Sequence, residues 1–284
     1  MEWEGMRAAL GRRTSSPAFE RIPYGPGPHH FGELALPTGR GPFPVAVVLH
    51  GGCWKSLADA AYMRPLCEAL HALGWATWNL EFRRIDQPGG GWPGILEDVA
   101  RGADRVRDLA GRYPVDPGCA VAVGHSSGGH LALWLAARRR LPPDRPGGAR
   151  LRGEDPLPLA GVAGLAAIAD LGHFRRYTRC GTGVVEALLG GSLDRDRLRV
   201  TDPSASLPLG TPQWLVSGTL DPVVPPAHAE AYVRRARAAG DEVRWLTVPD
   251  AGHFELVAPW TAPWPAVERT LAGLLASGAG GRAP

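Results

Sequence analysis

The sequence is poor in lysine and nearly balanced in charge. Lys55 is the single lysine among 31 basic residues, and 28 acidic residues leave a formal net charge of only +3. Such a balance gives little electrostatic attraction to a phosphate backbone, so we expect no nucleic-acid partner. Clusters such as Arg138–Arg140 are interpreted as a solvated face rather than as a docking site for an acidic partner.

Long apolar runs are missing as well. No segment has the apolar length needed to span a bilayer, and Met1–Pro17 contains no unbroken stretch that could form a signal-peptide core. We therefore expect no membrane association and a cytoplasmic location. A homodimer is left open.

Cysteine is scarce, and its spacing gives no C-x-x-C pair. We interpret all four cysteines as free thiols in a reducing cytoplasm; they are Cys53, Cys67, Cys119 and Cys180. The histidine pairs His29–His30 and His125 with His130 also lack a carboxylate or thiol at metal-ligand spacing. The sequence therefore predicts neither a metal site nor a cofactor.

Short runs rich in β-branched or aromatic residues alternate with longer helical stretches, which is typical of an α/β protein. We predict a mostly parallel central sheet with helices on both faces, forming a single domain over residues 1–284. The predicted strands are Pro44–His50, Ala76–Phe82, Cys119–Gly124, Val162–Ala169, Gln213–Ser217 and Glu242–Val248. The predicted helices are Met63–Leu73, a helix from Pro93 that stops before Pro114, Ser127–Ala137, Ala227–Ala239 and Trp264–Leu275.

Two stretches interrupt this alternation. Arg138–Leu157 is crowded with Pro, Gly and Arg and is predicted to be a surface loop. Residues 170–206 have little strand character and are predicted to form a small cap over the sheet, with Val184–Leu189 as a short helix. The tail, residues 277–284, is predicted to be disordered.

Gly124-His125-Ser126-Ser127-Gly128 fits the pattern G-x-S-x-G. The pattern alone is weak in a glycine-rich chain, but here it begins where a predicted apolar strand ends and a helix starts. That is the strand–turn–helix setting of a nucleophile elbow, in which a sharp turn exposes the serine hydroxyl. The alternative is a Gly-Ser turn that caps a helix. We predict Ser126 to be a nucleophile.

A serine hydroxyl needs a base, and the base needs a group that orients it. His253 follows a predicted strand within a flexible loop, whereas His173 lies in the irregular cap and His228 at a helix start. We predict His253 to be the base; a buried structural histidine is the alternative.

The orienting acid is predicted to be Asp221, just past the strand Gln213–Ser217, because ligands bind at the carboxyl ends of strands in open α/β sheets. Asp250 is the rival, although it is more typical of a turn former, and Asp202 is a further candidate.

Acyl transfer also needs donors for the developing oxyanion. His50-Gly51-Gly52-Cys53-Trp54 follows the first strong strand and matches an HGGG-type loop. We predict the backbone amides of Gly52, Cys53 and Ser127 to form the oxyanion hole, with a plain Gly-Gly turn as the alternative. Two charged residues at a strand end, Glu81 and Arg83, are left open between a structural ion pair and the pocket rim.

These motifs occur in the order HGGCW, NLEFRR, GGGWPGILEDVA, GHSSGGHLALWLA, SGTLDPVVP and AGHF. In this arrangement the chain resembles α/β-hydrolases related to kynurenine formamidase (arylformamidase) and the broader esterase and prolyl-oligopeptidase-like serine hydrolases. The resemblance implies the α/β-hydrolase fold and the same roles for Ser126, Asp221 and His253. The family usually has alanine where this chain has Ser127, and an aromatic or small residue where it has Cys53.

The expected function is hydrolysis of an ester or amide bond of a small molecule through an acyl-enzyme, with formamidase-like specificity. The alternatives are a general carboxylesterase, a biosynthetic thioesterase or amidase, or a catalytically dead binding module. An aromatic leaving group would suit a pocket walled by aromatic residues. The candidates are Trp54, Trp92, Phe174, Tyr177 and Phe254.

Overall fold

One eight-stranded sheet organises the structure, a computed structural model that describes residues 1–12 and 18–279. In chain order the strands are β1 (Glu20–Pro23), β2 (Phe31–Ala35), β3 (Phe43–Leu49), β4 (Ala76–Leu80), β5 (Val115–His125), β6 (Gly161–Leu165), β7 (Gln213–Gly218) and β8 (Val243–Val248). Their order across the sheet is β1-β2-β4-β3-β5-β6-β7-β8. β1 pairs antiparallel with β2, and β2 antiparallel with β4, whereas every other pairing is parallel.

Helices cover both faces of this sheet. Within the described ranges the α-helices are α1 (Trp3–Leu10), α2 (Arg64–Ala72), α3 (Gly94–Asp104), α4 (Val106–Ala110), α5 (Ser127–Ala137), α6 (Gly148–Arg152), α7 (Leu171–Phe174), α8 (Val184–Leu188), α9 (Arg195–Thr201), α10 (Pro226–Ala238) and α11 (Trp264–Ala279). Short 3₁₀ turns span Ala60–Met63, Arg138–Arg140, Pro203–Ser206 and Phe254–Val257. The predicted α/β-hydrolase architecture is confirmed.

The central strands are apolar because both of their faces are covered. In β3 the last five residues are buried, and in β5 the last six. Helix α5 packs against β3, β5 and β6, and all eleven of its residues are buried. A helix that is apolar all round belongs in a core of this kind. It is also the helix that starts directly after Ser126.

The parallel strands bring four loops together at one edge of the sheet. In the β3–β5 register Leu49 lies beside Gly124, so the loop after β3 starts next to the turn after β5. The register of β7 with β8 pairs Gly218 with Val248, which places the following loops side by side. Because carboxyl ends of parallel strands share an edge, these loops can form one site.

Several predicted boundaries are corrected. Strand β6 ends at Leu165 rather than Ala169, because Ala166 has φ 46° and turns the chain out of the strand. Helix α11 continues to Ala279, so the prediction of disorder is wrong for residues 277–279, and residues 280–284 lie outside the described part. The segment 170–206 contains α7, α8 and α9, and α8 corresponds to the predicted short helix.

The stretch predicted as a surface loop, Arg138–Leu157, is partly a packed element. It contains α6, whose Leu151 is fully buried. Arg138 is also buried, and its guanidinium binds both carboxylate oxygens of Asp104, at 2.9 and 2.6 Å. The solvated-face interpretation is therefore wrong for Arg138, because its charge is neutralised by a bidentate ion pair.

Three elements near the N-terminus were not predicted. β1 and β2 extend the sheet by an antiparallel hairpin, and α1 is held by the fully buried Met6. Of the helices in residues 1–12 and 18–279, none is both long and apolar enough to cross a membrane.

Candidate active site

Ser126 lies in the tight turn between β5 and α5. Its backbone has φ 57° and ψ −121°, a region that non-glycine residues rarely adopt. Its amide donates to the carbonyl of Leu165, 2.9 Å away on β6, and its carbonyl accepts from the amides of His130 and Ile168. These bonds hold the residue in a conformation that would otherwise relax. Backbone strain of this kind, held in place by surrounding structure, is typical of a functional site.

The glycines of the G-x-S-x-G motif are required sterically. A Cβ at Gly124 would lie 2.1 Å from the carbonyl oxygen of Gly128. A Cβ at Gly128 would lie 2.2 Å from the carbonyl oxygen of Leu49 and 2.4 Å from that of His50. All three contacts are to backbone oxygens, which belong to β3, to the residue directly after it, and to α5. The tight approach of α5 to β3 therefore depends on the absence of side chains at these two positions.

His253 and Asp221 are brought together by the loops after β8 and β7. The His253 Nδ1–H donates to Asp221 Oδ2 over 2.7 Å, and both side chains are buried. The other carboxylate oxygen, Oδ1, accepts from the amides of Val223 and Val224 at 2.7 and 2.9 Å. With both carboxylate oxygens of Asp221 held by hydrogen bonds, the carboxylate fixes the imidazole orientation and leaves Nε2 for another partner.

The rival acids lie elsewhere. Asp250 is exposed, has φ 57°, and its amide donates to Thr219 Oγ1, as expected of a turn residue. Asp202 caps the 3₁₀ turn Pro203–Ser206. Burial, together with the charge of Asp170, raises the pKa of Asp202 to about 6.

The rival histidines belong to a separate buried cluster. His228 Nε2 accepts from the amides of Ala169 and Asp170, and its Nδ1 lies 3.1 Å from Nδ1 of His173. Burial lowers the pKa of His228 to about 4, so the ring is neutral. Across the described part of the chain, no three His, Cys, Asp or Glu side chains are grouped as ligands of one metal ion.

The loop after β3 has an unusual backbone. Gly52, Cys53 and Trp54 have φ values of 104°, 56° and 57°. Three successive residues in this region form a concave turn, whose amides can converge on an anion. Gly52 and Cys53 line the same cavity as Ser126, whereas Ser127 is buried at the first position of α5. The Ser127 hydroxyl accepts from the Trp54 amide over 3.2 Å, which links this loop to the helix.

Cys53 is joined to Cys180 by a disulfide, with a Cα–Cα distance of 5.5 Å. The interpretation of all four cysteines as free thiols is therefore wrong. The bond connects the loop after β3 to the segment between α7 and α8, over a sequence separation of 127. A second tie runs beside it, because Lys55 Nζ donates to the Cys180 carbonyl over 2.9 Å. The cytoplasmic location stays a prediction.

A cavity of about 220 Å³ opens over Ser126 and His253. Its apolar wall comes from four separate parts of the chain. The lining residues are Glu2, Trp3, Gly52, Cys53, Leu57, Ala58, Tyr62, His125, Ser126, Arg179, Pro222, Val223, His253 and Phe254. The cavity is smaller than the usual range for drug-sized ligands, so it suits a small group.

Of the five predicted aromatic wall residues, only Phe254 lines this cavity. Trp54 is buried in the core, where its indole N–H donates to His130 Nδ1 and its ring meets Phe174 edge-on. Tyr177 packs on the His173–His228 pair, and Trp92 lies under the guanidinium of Arg197 at 4.4 Å. The position of a residue near a strand end in the sequence did not show whether its side chain points into the cavity or into the core.

Glu81 and Arg83 are structural. Glu81 accepts from the amides of Ala60 and Phe82 and pairs with His50 and Arg84. Although burial raises the pKa of this carboxyl, His50 and Arg84 outweigh it and lower the pKa to about 2. Arg83 pairs with Asp98, its Nη2 lying 2.7 Å from Oδ1. Both residues therefore form structural ion pairs, but each with other partners and not with one another.

The aromatic wall residues that the sequence analysis missed are Trp3, in α1, and Tyr62, in the 3₁₀ turn before α2. Trp3 packs edge-on against Tyr62 at 5.7 Å and tilted against Phe254 at 5.5 Å. Trp3, Met6 and Leu10 are spaced as one face of a helix, a signal that could have identified α1. No comparable pattern marks Tyr62.

The fold agrees with that of known esterases. A C6-C4 SN3 inhibited esterase B from Lactobacillus Rhamnosis superposes with a TM-score of 0.80 at 19% identity, covering 98% of this chain and 92% of that one. Esterase LipQ of Mycobacterium tuberculosis is 28% identical over 250 residues, or 84% of this chain and 57% of LipQ. Esterase LipC of the same organism is 25% identical over 236 residues, 76% of this chain and 54% of LipC. The chain thus spans little more than half the length of these curated relatives.

Residues 33–235 match the BD-FAE family model, which is well over half of the chain. The protein therefore belongs to the BD-FAE family, an esterase-type family of α/β-hydrolases. The matched range includes Gly52, Ser126 and Asp221 and ends before His253.

Proposed function

We propose that the protein is a carboxylesterase that cleaves small esters through an acyl-enzyme on Ser126. The observation that carries this proposal is the convergence of three features on one cavity. Ser126 lies in a strained turn, His253 is oriented by a 2.7 Å bond to Asp221, and Gly52 and Cys53 line the same space. This arrangement supplies a nucleophile, an oriented base and backbone donors.

The proposed reaction begins with attack of Ser126 Oγ on the ester carbonyl carbon. His253 Nε2 takes the hydroxyl proton, while Asp221 stabilises the resulting imidazolium. The negative charge on the former carbonyl oxygen is met by the amides of Gly52, Cys53 and Ser127. His253 then protonates the leaving alcohol, and water releases the acyl group from Ser126 by the same steps in reverse.

Cavity size and lining support a short, uncharged acyl group. The volume is about 220 Å³, and Trp3, Leu57, Val223 and Phe254 give the wall apolar surface. Longer chains would need to displace one of these residues or leave the cavity toward solvent. We therefore expect acetyl and butyryl esters to be better substrates than octanoyl esters.

The formamidase hypothesis uses the same nucleophile and base but a different substrate. An N-formyl arylamine would place a formyl group on Ser126 and release an aniline. Only Phe254 of the predicted aromatic wall lines the cavity, although Trp3 and Tyr62 add two aromatic rings that were not anticipated. The amidase and thioesterase alternatives use the same nucleophile and differ only in the leaving group.

The test is kcat/KM for 4-nitrophenyl acetate, butyrate and octanoate, measured beside N-formylkynurenine. The Ser126→Ala variant is the blank, and Ser192→Ala, at an exposed serine, is the matched control. We expect activity on the short esters that is lost only in Ser126→Ala. A preference for N-formylkynurenine would replace the carboxylesterase proposal by the formamidase one. Absence of all turnover in folded protein would support a binding module.

A further inference from the structure

A chain of buried hydrogen bonds connects the loop after β3 with the loop that carries His253. It starts at the Gly51 amide, which donates to the Tyr62 hydroxyl over 2.5 Å. Tyr62 lies 2.9 Å from His125 Nδ1, and His125 Nε2 lies 2.9 Å from the carbonyl oxygen of His253. Tyr62 and His125 are 3% and 0% exposed, so water does not compete for these bonds.

The donor and acceptor in each bond follow from the two ends of the hydrogen-bond chain, the Gly51 amide and the His253 carbonyl. A carbonyl oxygen only accepts, so His125 Nε2 carries the proton that it donates to His253. In a neutral ring Nδ1 is then an acceptor, and it takes the Tyr62 hydroxyl proton. The Tyr62 oxygen in turn accepts from Gly51. Burial first, and the nearby His253 second, hold the pKa of His125 well below its usual range, which keeps the ring neutral.

The two ends of this hydrogen-bond chain hold the two loops that the proposed reaction uses. Gly51 directly precedes Gly52 and Cys53, whose amides are the proposed oxyanion donors. A Cβ at Gly51 would lie 2.7 Å from the Tyr62 hydroxyl oxygen and 3.0 Å from Ser126 Cβ, so the packing there is tight. At the other end, the bond from His125 fixes the backbone of His253 itself. The centroids of these two rings are 4.5 Å apart.

We propose that Tyr62 and His125 are positioning residues, which hold the oxyanion loop and the base loop in register with Ser126 through this hydrogen-bond chain. The inference rests on the proposed function, since it concerns the rate of the same reaction. The Tyr62 hydroxyl donates its only proton to His125 and accepts from Gly51, so it has no proton to offer a substrate, and we assign it a positioning role.

Tyr62→Phe removes the middle of the chain while keeping the ring in the cavity wall. It leaves the Gly51 amide and His125 Nδ1 buried without their partner, so both loops are free to shift. Displacement of reacting groups by about 1 Å costs up to about 100-fold in rate. We expect kcat for 4-nitrophenyl acetate to fall about 10- to 100-fold, while KM stays within about twofold of wild type.

Tyr232→Phe is the matched control. Tyr232 is also fully buried, and its hydroxyl donates to Gln213 Oε1 over 2.9 Å, on α10 and away from the cavity. Its removal should lower the thermal unfolding temperature as Tyr62→Phe does, but leave kcat unchanged. If Tyr62→Phe does not fold, His125→Phe replaces it, because a phenyl ring keeps an aromatic ring beside His253 but offers no nitrogen to Tyr62 or to the His253 carbonyl.

The results separate this inference from the proposed function. If wild type hydrolyses no ester, the proposed function fails. If wild type is active, a lower kcat at constant KM in Tyr62→Phe, with Tyr232→Phe unaffected, supports the positioning role. An unchanged kcat overturns it. A raised KM with unchanged kcat also overturns it, since that would show a substrate contact.

Discussion

Loss of the Cys53–Cys180 disulfide should lower the stability of the protein substantially, because the bond joins two distant segments. The two cysteines are 127 residues apart, so the bond closes a very long loop in the unfolded chain. In the chain-entropy model such a loop corresponds to about 5 kcal/mol at 25 °C, and measured values more often fall near 2–4 kcal/mol. We expect a reductant to lower the free energy of unfolding by about 2–5 kcal/mol.

The activity should fall as well, for a local reason. Cys53 is a proposed oxyanion donor, and Arg179, next to Cys180, lines the cavity. Without the covalent bond, the Lys55–Cys180 hydrogen bond remains as a tie between these two segments. One such exposed or half-buried bond contributes about 1 kcal/mol, so the wall would move more freely.

The assay is urea denaturation of wild type and Cys180→Ser, each with and without dithiothreitol. Cys180→Ser leaves the Cys53 backbone in place and isolates the effect of the bond. The unfolding midpoint of wild type should fall on reduction, and that of Cys180→Ser should not respond. Reduction of unfolded wild type should also add two thiols that can be alkylated. Identical midpoints in both conditions, with no added thiols, would refute the disulfide and the stability argument together.

Three further changes test other parts of the structure. Gly128→Ala should yield little folded protein in a thermal unfolding assay, since its Cβ would lie 2.2 Å from a backbone oxygen of β3; recovery of a wild-type transition would contradict the steric argument. Burial lowers the pKa of His130 and of His228 to about 4, against 6.5 in the unfolded chain, so the unfolded state binds more protons between these values. The free energy of unfolding should therefore fall as pH drops below about 6.5, by about 1–2 kcal/mol for each residue at pH 5, and urea titrations of His130→Gln should show a smaller fall than wild type. Trp3→Ala should enlarge the cavity and raise kcat/KM for 4-nitrophenyl octanoate relative to acetate; an unchanged ratio would show that α1 does not limit acyl length.

The parts of the fold that the sequence predicted have local signals. The strands that flank the site are continuous apolar runs, because both faces of a parallel sheet are covered. The elbow can be recognised in the sequence because Gly124 and Gly128 pack directly against backbone atoms, where any side chain would clash. Asp221 was preferred to Asp250 on its position after a strand, and the structure indeed places Asp221 against His253.

The features that escaped prediction depend on contacts between distant segments. The disulfide joins residues 127 positions apart, and cysteine spacing without a C-x-x-C pair says nothing about such a pairing. The cavity wall depends on where α1 packs, and side-chain direction at a strand end is set by the neighbouring elements. Trp54 illustrates this, since it follows the glycines of the loop yet points into the core.

The hydrogen-bond chain through Tyr62 is the most distant from sequence reasoning. Its members are Gly51, Tyr62, His125 and His253. The first two lie in the connection between β3 and α2, His125 ends β5, and His253 lies in the loop after β8. Each is an ordinary residue type for its place, and only the three-dimensional arrangement gives them a common role.

The account depends most on Ser126 as the nucleophile. The direct measurement is labelling with a fluorophosphonate, followed by mass spectrometry of the proteolytic fragments, with Ser126→Ala and Ser192→Ala as paired controls. We predict one phosphonate per chain, located on Ser126, absent from Ser126→Ala and retained in Ser192→Ala. A folded wild-type protein that stays unlabelled, or that carries the phosphonate on another residue, would contradict the account.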